Sequence, residues 1–381
     1  MTGIALLGST GSIGRQTLEV VVAQRDRFAV LGLAAGHASA GFEEQLAAWP
    51  AARAWAPGER PASVPVARWA DGGLEELATA DGVDLVVVAT TGMSALAAVL
   101  AALRSGRRVA LANKETLVTG GHLVTRCLVE RGGDPLDALR PIDSEHSALW
   151  QCLLGEDLAA VARLVLTASG GPFRGRPAAE LADVTPAQAL AHPTWRMGPK
   201  ITVDSATLVN KAFEAIEAKW LYGVPYSKIA AVIHPQSVVH SLVEFVDGSF
   251  KAQLGLPDMR LPIQFALTYP DRAPSPARHA APADWPDLTF AALSAGDYPA
   301  YDAVRRAAEA GGNRGAVLNA ADEVAVEAFL AGAIAFPRIG TLIDEAVERW
   351  GSDVEPTLEE IAALDAEVRT TLARQLGEGS A

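Results

Sequence analysis

Ile4-Ala5-Leu6-Leu7-Gly8-Ser9-Thr10-Gly11-Ser12-Ile13-Gly14 is the stretch that decides the fold, because an apolar strand leads through a glycine turn directly into a helix. Glycine permits a tight turn, and backbone N–H groups there can approach a pyrophosphate at the helix N-terminus. The spacing G-x-x-G-x-x-G differs from the usual G-x-G-x-x-G of dinucleotide sites. Glycine needed only for packing would give the same pattern, but the position at the start of alternating strands and helices favours a nucleotide site.

Short apolar runs alternate with helical patterns in the first third of the chain, which predicts parallel βαβ units. After about Pro141 the pattern changes to mixed strands and helices, with a hairpin signal at Asp247-Gly248, and helical stretches end the chain. The sequence therefore predicts an α/β protein with an N-terminal Rossmann-like dinucleotide domain, a central α+β catalytic domain and a C-terminal helical bundle. The predicted boundaries are 1–138 for the NADPH-binding domain, 139–268 for the catalytic domain with a lid loop at 190–200, 269–290 for a linker and 291–381 for the bundle.

The composition excludes several classes of protein. The chain has 381 residues, is 50% hydrophobic and carries a formal net charge of −13, so it can bury large cores and lacks the basic surface that non-specific nucleic-acid binding needs. No apolar run is long enough to predict a membrane span. Cys127 and Cys152 are too few for a disulfide framework and predict buried thiols in a reducing cytoplasm. We therefore expect no nucleic-acid partner and no membrane partner.

The end of the second predicted strand bears on which dinucleotide binds. An NAD site usually has Asp or Glu there, which accepts a hydrogen bond from the ribose 2′-hydroxyl. This chain has Ala34-Ala35-Gly36-His37-Ala38-Ser39, with no carboxylate to repel a 2′-phosphate. NADP is therefore favoured, and His37 and Ser39 are candidate contacts to its phosphate.

Three carboxylates are candidate metal ligands. Asp143 and Glu145 lie two residues apart, and in an extended segment their side chains would point the same way. Glu214 belongs to a helix predicted over 204–220. Oxygen ligands suit a hard cation such as Mg²⁺ or Mn²⁺ and disfavour zinc. The plainer reading of these acids is that they lie on solvated surfaces.

Four further residues are candidates for binding a phosphate. Asn210 shares a helix face with Glu214 at a spacing of four, and Lys211 lies beside them. Ser169 and Ser205 lie at loop–helix junctions, where donors converge. One cation and several hydrogen bonds can together bind a phosphate. An ordinary Glu–Lys pair on an exposed helix face is the alternative.

Several motifs follow one another in a characteristic order: Gly8–Gly14, Ala112-Asn113-Lys114-Glu115, Asp143-Ser144-Glu145, Ser169-Gly170-Gly171-Pro172-Phe173, His192-Pro193-Thr194-Trp195-Arg196-Met197-Gly198, Val203-Asp204-Ser205-Ala206-Thr207, Asn210-Lys211 with Phe213-Glu214, and His234-Pro235-Gln236-Ser237. This series resembles the 1-deoxy-D-xylulose 5-phosphate reductoisomerase family, which catalyses the second step of the methylerythritol phosphate route to isoprenoids. The resemblance extends over about residues 3 to 375.

The resemblance implies a cytoplasmic homodimer that uses NADPH and a divalent cation, Mg²⁺, Mn²⁺ or Co²⁺. It implies metal ligands at Asp143, Glu145 and Glu214 and a phosphate group at Ser169, Ser205, Asn210 and Lys211. Further substrate contacts are implied at Lys114, Ser144, Glu145, His192, Trp195 and Glu214, of which Lys114, Glu145, His192 and Glu214 join Asp143 as catalytic residues. Cofactor contacts are implied at Thr10, Gly11, Ser12, Ile13, Gly36, Asn113, Glu115 and Gly198, and His37 is added to them as the candidate contact to the 2′-phosphate. The family commonly has a basic residue and then Asn where this chain has His37 and Ala38.

The implied reaction converts 1-deoxy-D-xylulose 5-phosphate to 2-C-methyl-D-erythritol 4-phosphate by a retro-aldol/aldol rearrangement followed by hydride transfer. A metal ion would act as a Lewis acid on the substrate oxygens. Lys114 follows a predicted strand end, where it could donate to a developing oxyanion; a structural ion pair is its alternative role. The segment His192–Lys200 has the composition of a lid that excludes water, with Trp195 as apolar cover.

Two other functions fit parts of the sequence. An NADP-dependent aldehyde or semialdehyde reductase without rearrangement would use the glycine loop but not three dispersed carboxylates. A non-catalytic NADPH-sensing protein would need neither the carboxylates nor the phosphate group. Activity that requires a metal ion distinguishes the reductoisomerase from both alternatives.

Overall fold

The apolar run Ile4–Leu7 lies in a six-stranded parallel sheet in the computed structural model, which describes residues 1–378. The order of the strands across this sheet is β3-β2-β1-β4-β5-β6. It is the doubly wound order in which nucleotide-binding sheets are built. The strands are β1 (Thr2–Leu7), β2 (Phe28–Ala34), β3 (Arg53–Trp55), β4 (Leu85–Val88), β5 (Arg108–Leu111) and β6 (Leu139–Pro141).

Helices connect these strands, as the alternating pattern predicts. The buried faces of α1 and α2 pack on one face of the sheet in an apolar core that includes Ile4, Val20, Phe42 and Val87. The helices are α1 (Ser12–Ala23), α2 (Ala40–Ala48), α3 (Gly73–Thr79), α4 (Leu96–Arg104), α5 (Glu115–Arg131), α6 (Pro135–Ala138) and α7 (Ser144–Leu153).

A second sheet follows, and it is mixed. Its strand order is β10-β9-β7-β8-β11, with β7 and β8 parallel and the other neighbours antiparallel. The predicted hairpin at Asp247-Gly248 is confirmed between β9 and β10, and Gly248 has a φ of 83° that glycine adopts without strain. The strands are β7 (Val161–Ala168), β8 (Ile229–Ile233), β9 (Val239–Phe245), β10 (Phe250–Leu254) and β11 (Ala291–Ala292).

The remaining helices include the C-terminal set that the sequence predicts. Helices α12 to α15 bury a shared apolar core with residues such as Val304, Phe329 and Ile343. The helices are α8 (Pro186–Ala189), α9 (Pro199–Thr207), α10 (Val209–Tyr222), α11 (Arg260–Thr268), α12 (Pro299–Ala310), α13 (Arg314–Leu330), α14 (Arg338–Trp350) and α15 (Leu358–Glu378). The predicted fold class, a Rossmann-like sheet with a second α+β part and C-terminal helices, is confirmed.

The chain divides into two units that are assembled from non-consecutive segments. The first unit consists of Met1–Thr116, Leu123–Trp150 and Asp258–His279, and the second of Leu117–His122, Gln151–Pro257 and the chain from Ala280 onwards. Helix α11 belongs to the first unit because Ile263, Ala266 and Leu267 join its apolar core. The division into three consecutive domains with a linker and a lid loop stays a prediction. Among residues 1–378 no helix has both the length and the apolar character that crossing a membrane requires.

Two local predictions are wrong. Asp143 and Glu145 do not lie in an extended segment, because α7 begins at Ser144 and the Asp143 carbonyl accepts a hydrogen bond from Ser147 N at 2.8 Å. Asp and Ser before Glu favour a helix N-terminus, and this preference prevails here.

The helix predicted over 204–220 is interrupted at Leu208, which has a left-handed conformation with φ 58° and ψ 13°. This conformation costs a non-glycine residue roughly 1–2 kcal/mol. The Leu208 side chain is buried against Ala168 and Ile233, at the ends of β7 and β8, and this burial offsets the cost.

We predict that Gly14→Ala destabilises the first unit. A Cβ at Gly14 would lie 2.2 Å from the carbonyl oxygen of Gly8 and 2.6 Å from Ser9 Cα, so backbone would have to shift. The expected loss is about 1–3 kcal/mol in the free energy of unfolding, measured by denaturant titration.

Gly41→Ala is the matched control, because Gly41 is also in the first turn of a helix and its nearest neighbour is Ser39 Oγ at 4.0 Å. We expect Gly41→Ala to be neutral or stabilising, since alanine favours helix. Equal stability of the two variants would contradict the close packing of the turn.

Candidate active site

The glycine turn after β1 is held against the end of β2. Gly8 N and Ser9 N both donate to the carbonyl oxygen of Ala34, at 2.9 and 2.7 Å, and Gly8 has a φ of 92°. The turn leads to an exposed Gly11, which is the N-cap of α1, and the predicted cofactor contacts Thr10, Ser12 and Ile13 flank it. The helix N-terminus therefore opens towards solvent with its first backbone N–H groups directed at the turn, as an anion site requires.

Beyond β2, the predicted contacts to a 2′-phosphate are accessible. Gly36 and His37 are exposed, and no carboxylate lies between them and α2. Ser39 is the N-cap of α2, where its Oγ accepts a hydrogen bond from Phe42 N at 3.3 Å. The exposed imidazole and the helix N-terminus suit an anionic group at this edge of the sheet.

Asn113 organises the loops that follow β4 and β5. Its amide nitrogen donates to the carbonyl oxygens of Thr90 and Gly92, at 2.9 and 2.8 Å, and its amide oxygen accepts from Thr116 N and Thr116 Oγ1. These bonds use both donors and both lone pairs of the side chain. Asn113 therefore fixes the conformation of these loops from the interior. Because its side chain is fully used in these bonds, a contact to a cofactor would come from the backbone beside it.

Lys114 and Asp143 bring a buried ion pair to the carboxyl ends of β5 and β6. Lys114 Nζ lies 2.6 Å from Asp143 Oδ2, and the two side chains are only 7% and 13% exposed. Glu145 is in the first turn of α7 and accepts a hydrogen bond from Ser144 Oγ. The first unit thus places two predicted metal ligands, Ser144 and the predicted proton donor Lys114 at one edge of the sheet.

In the second unit, α10 carries the third predicted carboxylate in a buried cluster. Lys211 Nζ forms an ion pair with Glu214, and their side chains are 3% and 1% exposed. Asn210 Nδ2 donates to Glu214 Oε1 at 2.6 Å. The alternative interpretation, an ordinary Glu–Lys pair on an exposed helix face, is therefore wrong for Glu214 and Lys211, because both side chains are buried.

The turn Ser169–Gly171, which follows β7, packs directly on α9. A Cβ at Gly171 would lie 2.6 Å from the carbonyl oxygen of Ser205, so only glycine lets the two backbones approach this closely. Ser169 and Ser205 are brought to the same end of β7 in this way. Leu208, which precedes Asn210 by two residues, packs on Ala168 at the same place.

His192 is bound to this turn, and its hydrogen bonds define its protonation. Nδ1 accepts from the backbone N–H groups of Thr194 and Trp195, at 3.1 and 2.8 Å, so it carries no proton. Nε2 lies 3.0 Å from Ser169 Oγ and is therefore the N–H that donates to it. Burial lowers the pKa of His192, which favours the same neutral form.

The segment 190–200 ends in a buried network that the sequence analysis missed. Lys200 Nζ lies 2.8 Å from Asp204 Oδ2 and 2.6 Å from Asp322 Oδ2, and Asp322 is fully buried on α13. Gly198 is the N-cap of α9, and Trp195 lies with its ring 6.3 Å from that of His240. Asp322 stands next to a second acid, Glu323, on α13, so nothing in the sequence marks it as buried or specifies its partner.

The donor set fits a hard divalent cation. Asp143, Glu145 and Glu214 offer only carboxylate oxygens, which suit Mg²⁺ or Mn²⁺. A lysine pairs with one acid in each unit, and its positive charge offsets the cost of removing that carboxylate from water. Glu115, the remaining predicted cofactor contact, begins α5 directly after Lys114.

The doubly wound sheet, the glycine turn at the N-terminus of α1 and the Lys114–Asp143 pair at the sheet edge are features of an oxidoreductase of the dinucleotide-binding type. Comparison with protein families identifies which one. Residues 4–121 match the model for 1-deoxy-D-xylulose 5-phosphate reductoisomerase, and residues 139–222 and 254–371 match two models for its C-terminal domains.

Individual relatives agree with the family models. The 1-deoxy-D-xylulose 5-phosphate reductoisomerase of Pelotomaculum thermopropionicum is 49% identical over 376 residues, with 96% of each chain covered. That of Thermomicrobium roseum is 50% identical over 379 residues, with 98% of this chain and 97% of the relative covered. The chain therefore belongs to the 1-deoxy-D-xylulose 5-phosphate reductoisomerase family.

Solved structures resemble the fold over nearly its full length. A reductoisomerase in complex with NADPH, fosmidomycin and magnesium is 33% identical, with a TM-score of 0.87 and coverage of 99% of this chain and 98% of that one. The enzyme of Zymomonas mobilis in complex with NADPH is 36% identical, with a TM-score of 0.85 and coverage of 98% and 99%.

We predict that the His192 imidazole titrates below its usual pKa of 6.5 and is neutral, with the proton on Nε2, at pH 7. Long-range ¹H–¹⁵N correlation spectra of labelled protein measure both properties. An imidazole that titrates above 6.5, or that carries its proton on Nδ1, would contradict the hydrogen-bond assignment.

The same shift affects stability. As the pH falls below 6.5, His192 becomes protonated in the unfolded chain before it does in the folded protein, because its pKa is lower in the folded protein. The folded protein therefore loses stability between these two pKa values. The free energy of unfolding of His192→Gln should therefore fall less between pH 7.5 and 5.5 than that of the wild type.

Proposed function

We propose that this protein catalyses the NADPH- and divalent-metal-dependent rearrangement and reduction of 1-deoxy-D-xylulose 5-phosphate to 2-C-methyl-D-erythritol 4-phosphate, in the non-mevalonate pathway of isoprenoid biosynthesis. Family membership over the whole chain supports the reaction. The observation that carries the residue assignment is the presence, in each unit, of a buried carboxylate neutralised by its own lysine.

Asp143, Glu145 and Glu214 are the proposed metal ligands. When bound, Mg²⁺, Mn²⁺ or Co²⁺ would supply Lewis-acid polarisation of the substrate oxygens, and NADPH would supply the hydride. Lys114 forms an ion pair with Asp143 and presents an ammonium group at the strand end, where it can donate a hydrogen bond or a proton to an oxyanion of the substrate. Ser144 holds the Glu145 carboxylate in the first turn of α7.

The substrate phosphate is the proposed ligand of Ser169, Ser205, Asn210 and Lys211. Ser169 Oγ accepts from Gly171 N at 3.2 Å and from His192 Nε2, which fills both of its lone pairs. Its own proton is then directed at an external acceptor such as a phosphate oxygen. His192 would additionally contact the substrate, and its neutral form avoids adding a charge to the site.

NADPH is the proposed ligand of the glycine turn and the loops beside it. Thr10, Gly11, Ser12 and Ile13 would hold the pyrophosphate at the N-terminus of α1. Gly36 and the exposed His37 would lie at the 2′-phosphate, while Asn113, Glu115 and Gly198 would contact the rest of the cofactor. The absence of an acid between β2 and α2 supports NADPH over NADH.

A homodimer in the cytoplasm completes the proposal. Exposed apolar side chains along the hairpin of β9 and the edge strand β10 support a protein partner, because Val246 is 71% and Phe250 53% exposed. Sedimentation equilibrium measures the mass directly. Cys127 and Cys152 are buried free thiols, and burial raises the pKa of Cys152 to about 11, which suits a reducing compartment.

We predict that Glu214→Gln lowers kcat/KM at least about a hundredfold, or about 2.7 kcal/mol of transition-state stabilisation, in NADPH oxidation with 1-deoxy-D-xylulose 5-phosphate. The substitution keeps the size of the side chain and removes the charge that binds the cation. The assay is run with and without Mn²⁺, and Mn²⁺ affinity is measured separately by electron paramagnetic resonance.

Glu244→Gln is the control for removing a carboxylate from the same unit, because Glu244 pairs with an exposed Arg163 on β7. Thermal unfolding of both variants separates a loss of metal from a loss of fold, since Glu214→Gln also removes the partner of buried Lys211. Unchanged Mn²⁺ affinity and rate in Glu214→Gln would remove Glu214 from the ligand set.

We propose that segment 190–200 acts as a lid, and we predict that Trp195→Ala keeps the thermal unfolding temperature but lowers kcat/KM at least tenfold, about 1.4 kcal/mol. Trp195 is partly exposed, so its removal should cost the fold little, whereas an apolar cover over the reacting carbons matters once substrate is bound. Unchanged steady-state kinetics would show that the loop is a static surface segment.

A further inference from the structure

Each residue of the turn Ser169–Gly171 is held from a different direction. The carbonyl oxygen of Ser169 accepts from Arg174 NH1 at 2.9 Å, and the carbonyl oxygen of Gly170 accepts from the Tyr298 hydroxyl at 2.9 Å. Gly171 packs on the backbone of Ser205. Gly170 and Gly171 have positive φ values of 85° and 66°, which glycine adopts without strain. These contacts hold the turn in this conformation.

Tyr298 comes from a part of the chain that contains none of the proposed substrate or cofactor ligands. It lies directly before Pro299, the first residue of α12, and is 128 residues from Gly170 along the chain. Its ring packs in a small apolar cluster with Ala168, Leu208 and Ile233. These residues end β7, separate α9 from α10 and end β8, so the ring lies where the proposed phosphate ligands converge.

The Tyr298 hydroxyl acts on Ser169 through a single peptide group. The Gly170 carbonyl and the Gly171 N–H belong to one planar peptide, so fixing the direction of the carbonyl fixes the direction of the N–H. Gly171 N donates to Ser169 Oγ at 3.2 Å. Because His192 Nε2–H occupies the other lone pair of that oxygen, the orientation of the peptide determines where the Ser169 proton points.

We propose that Tyr298 is a positioning residue for the substrate phosphate, which aims the Ser169 hydroxyl through the Gly170–Gly171 peptide. This inference rests on the proposed role of Ser169 as a phosphate ligand. Burial raises the pKa of Tyr298, so its hydroxyl stays protonated and donates throughout the working range of pH.

Tyr298→Phe tests the inference, because it removes one hydroxyl and keeps the ring in its apolar cluster. We expect the KM for 1-deoxy-D-xylulose 5-phosphate to rise about tenfold, the effect of misdirecting one hydrogen bond to a charged group, while kcat stays within about twofold. The competitive inhibition constant of inorganic phosphate should rise by the same factor. A residue that only stabilises the fold would lower the unfolding temperature without raising these two constants together.

Two further variants locate the effect. Tyr226→Phe, at another partly buried tyrosine of the second unit, is the control and should leave KM unchanged. Ser169→Ala should itself raise KM, and Tyr298→Phe introduced into Ser169→Ala should then have little additional effect, because the two substitutions interrupt one pathway.

The possible outcomes are distinct. A wild-type enzyme that does not oxidise NADPH with this substrate would overturn the proposed function itself. With an active wild type, full additivity of Tyr298→Phe and Ser169→Ala, an unchanged KM in Tyr298→Phe, or loss of cooperative unfolding in Tyr298→Phe would each overturn only the positioning role.

Discussion

Neutralisation of buried carboxylates by lysines of the same unit is the constraint on which the rest of the site depends. An isolated charge that is removed from water costs several kcal/mol, and breaking a buried pair commonly destabilises a protein by about 3–5 kcal/mol. Lys114 and Asp143 meet because β5 and β6 are neighbouring parallel strands whose carboxyl ends lie at one edge. Lys211 and Glu214 meet because they are three residues apart on one helix. Each unit therefore folds with a positive charge beside its carboxylate, which offsets the cost of removing that carboxylate from water.

Close backbone approaches at glycine locate the two anion sites in the same physical way. Gly14 lets α1 begin against the carbonyl of Gly8, and Gly171 lets the turn after β7 rest on Ser205. In both places a strand end meets a helix with no Cβ between them, so backbone N–H groups and short hydroxyls can reach a phosphate. The proposed cofactor site and the proposed phosphate site therefore depend on the same local feature, a glycine that lets a strand end approach a helix.

The strands and helices were predictable because they depend on short-range patterns. The alternation of apolar runs with helical patterns predicted the parallel βαβ units, and the helical stretches at the end of the chain predicted the helices α12 to α15. The two wrong local predictions have different causes. Asp143-Ser144 begins a helix because both residues cap helices well. Leu208 interrupts a helix because burial of its side chain offsets the backbone strain. Buried long-range partners such as Asp322 and Tyr298 had no sequence signal, since a contact 128 residues away follows from the assembled fold and leaves no spacing in the chain.

The proposed lid is constrained at both of its ends by side chains of the second unit. At its start, His192 binds Ser169 through Nε2 and the backbone of Thr194 and Trp195 through Nδ1, so the imidazole joins the lid to the proposed phosphate turn. At its end, Lys200 is held between Asp204 and Asp322. Between these two ends Pro193 and Arg196 are exposed, so a lid movement would involve this middle part of the segment. Because the proposed phosphate ligand Ser169 and the proposed cover Trp195 both bind the His192 imidazole, we expect binding of the phosphate and placement of the cover to be coupled through this histidine.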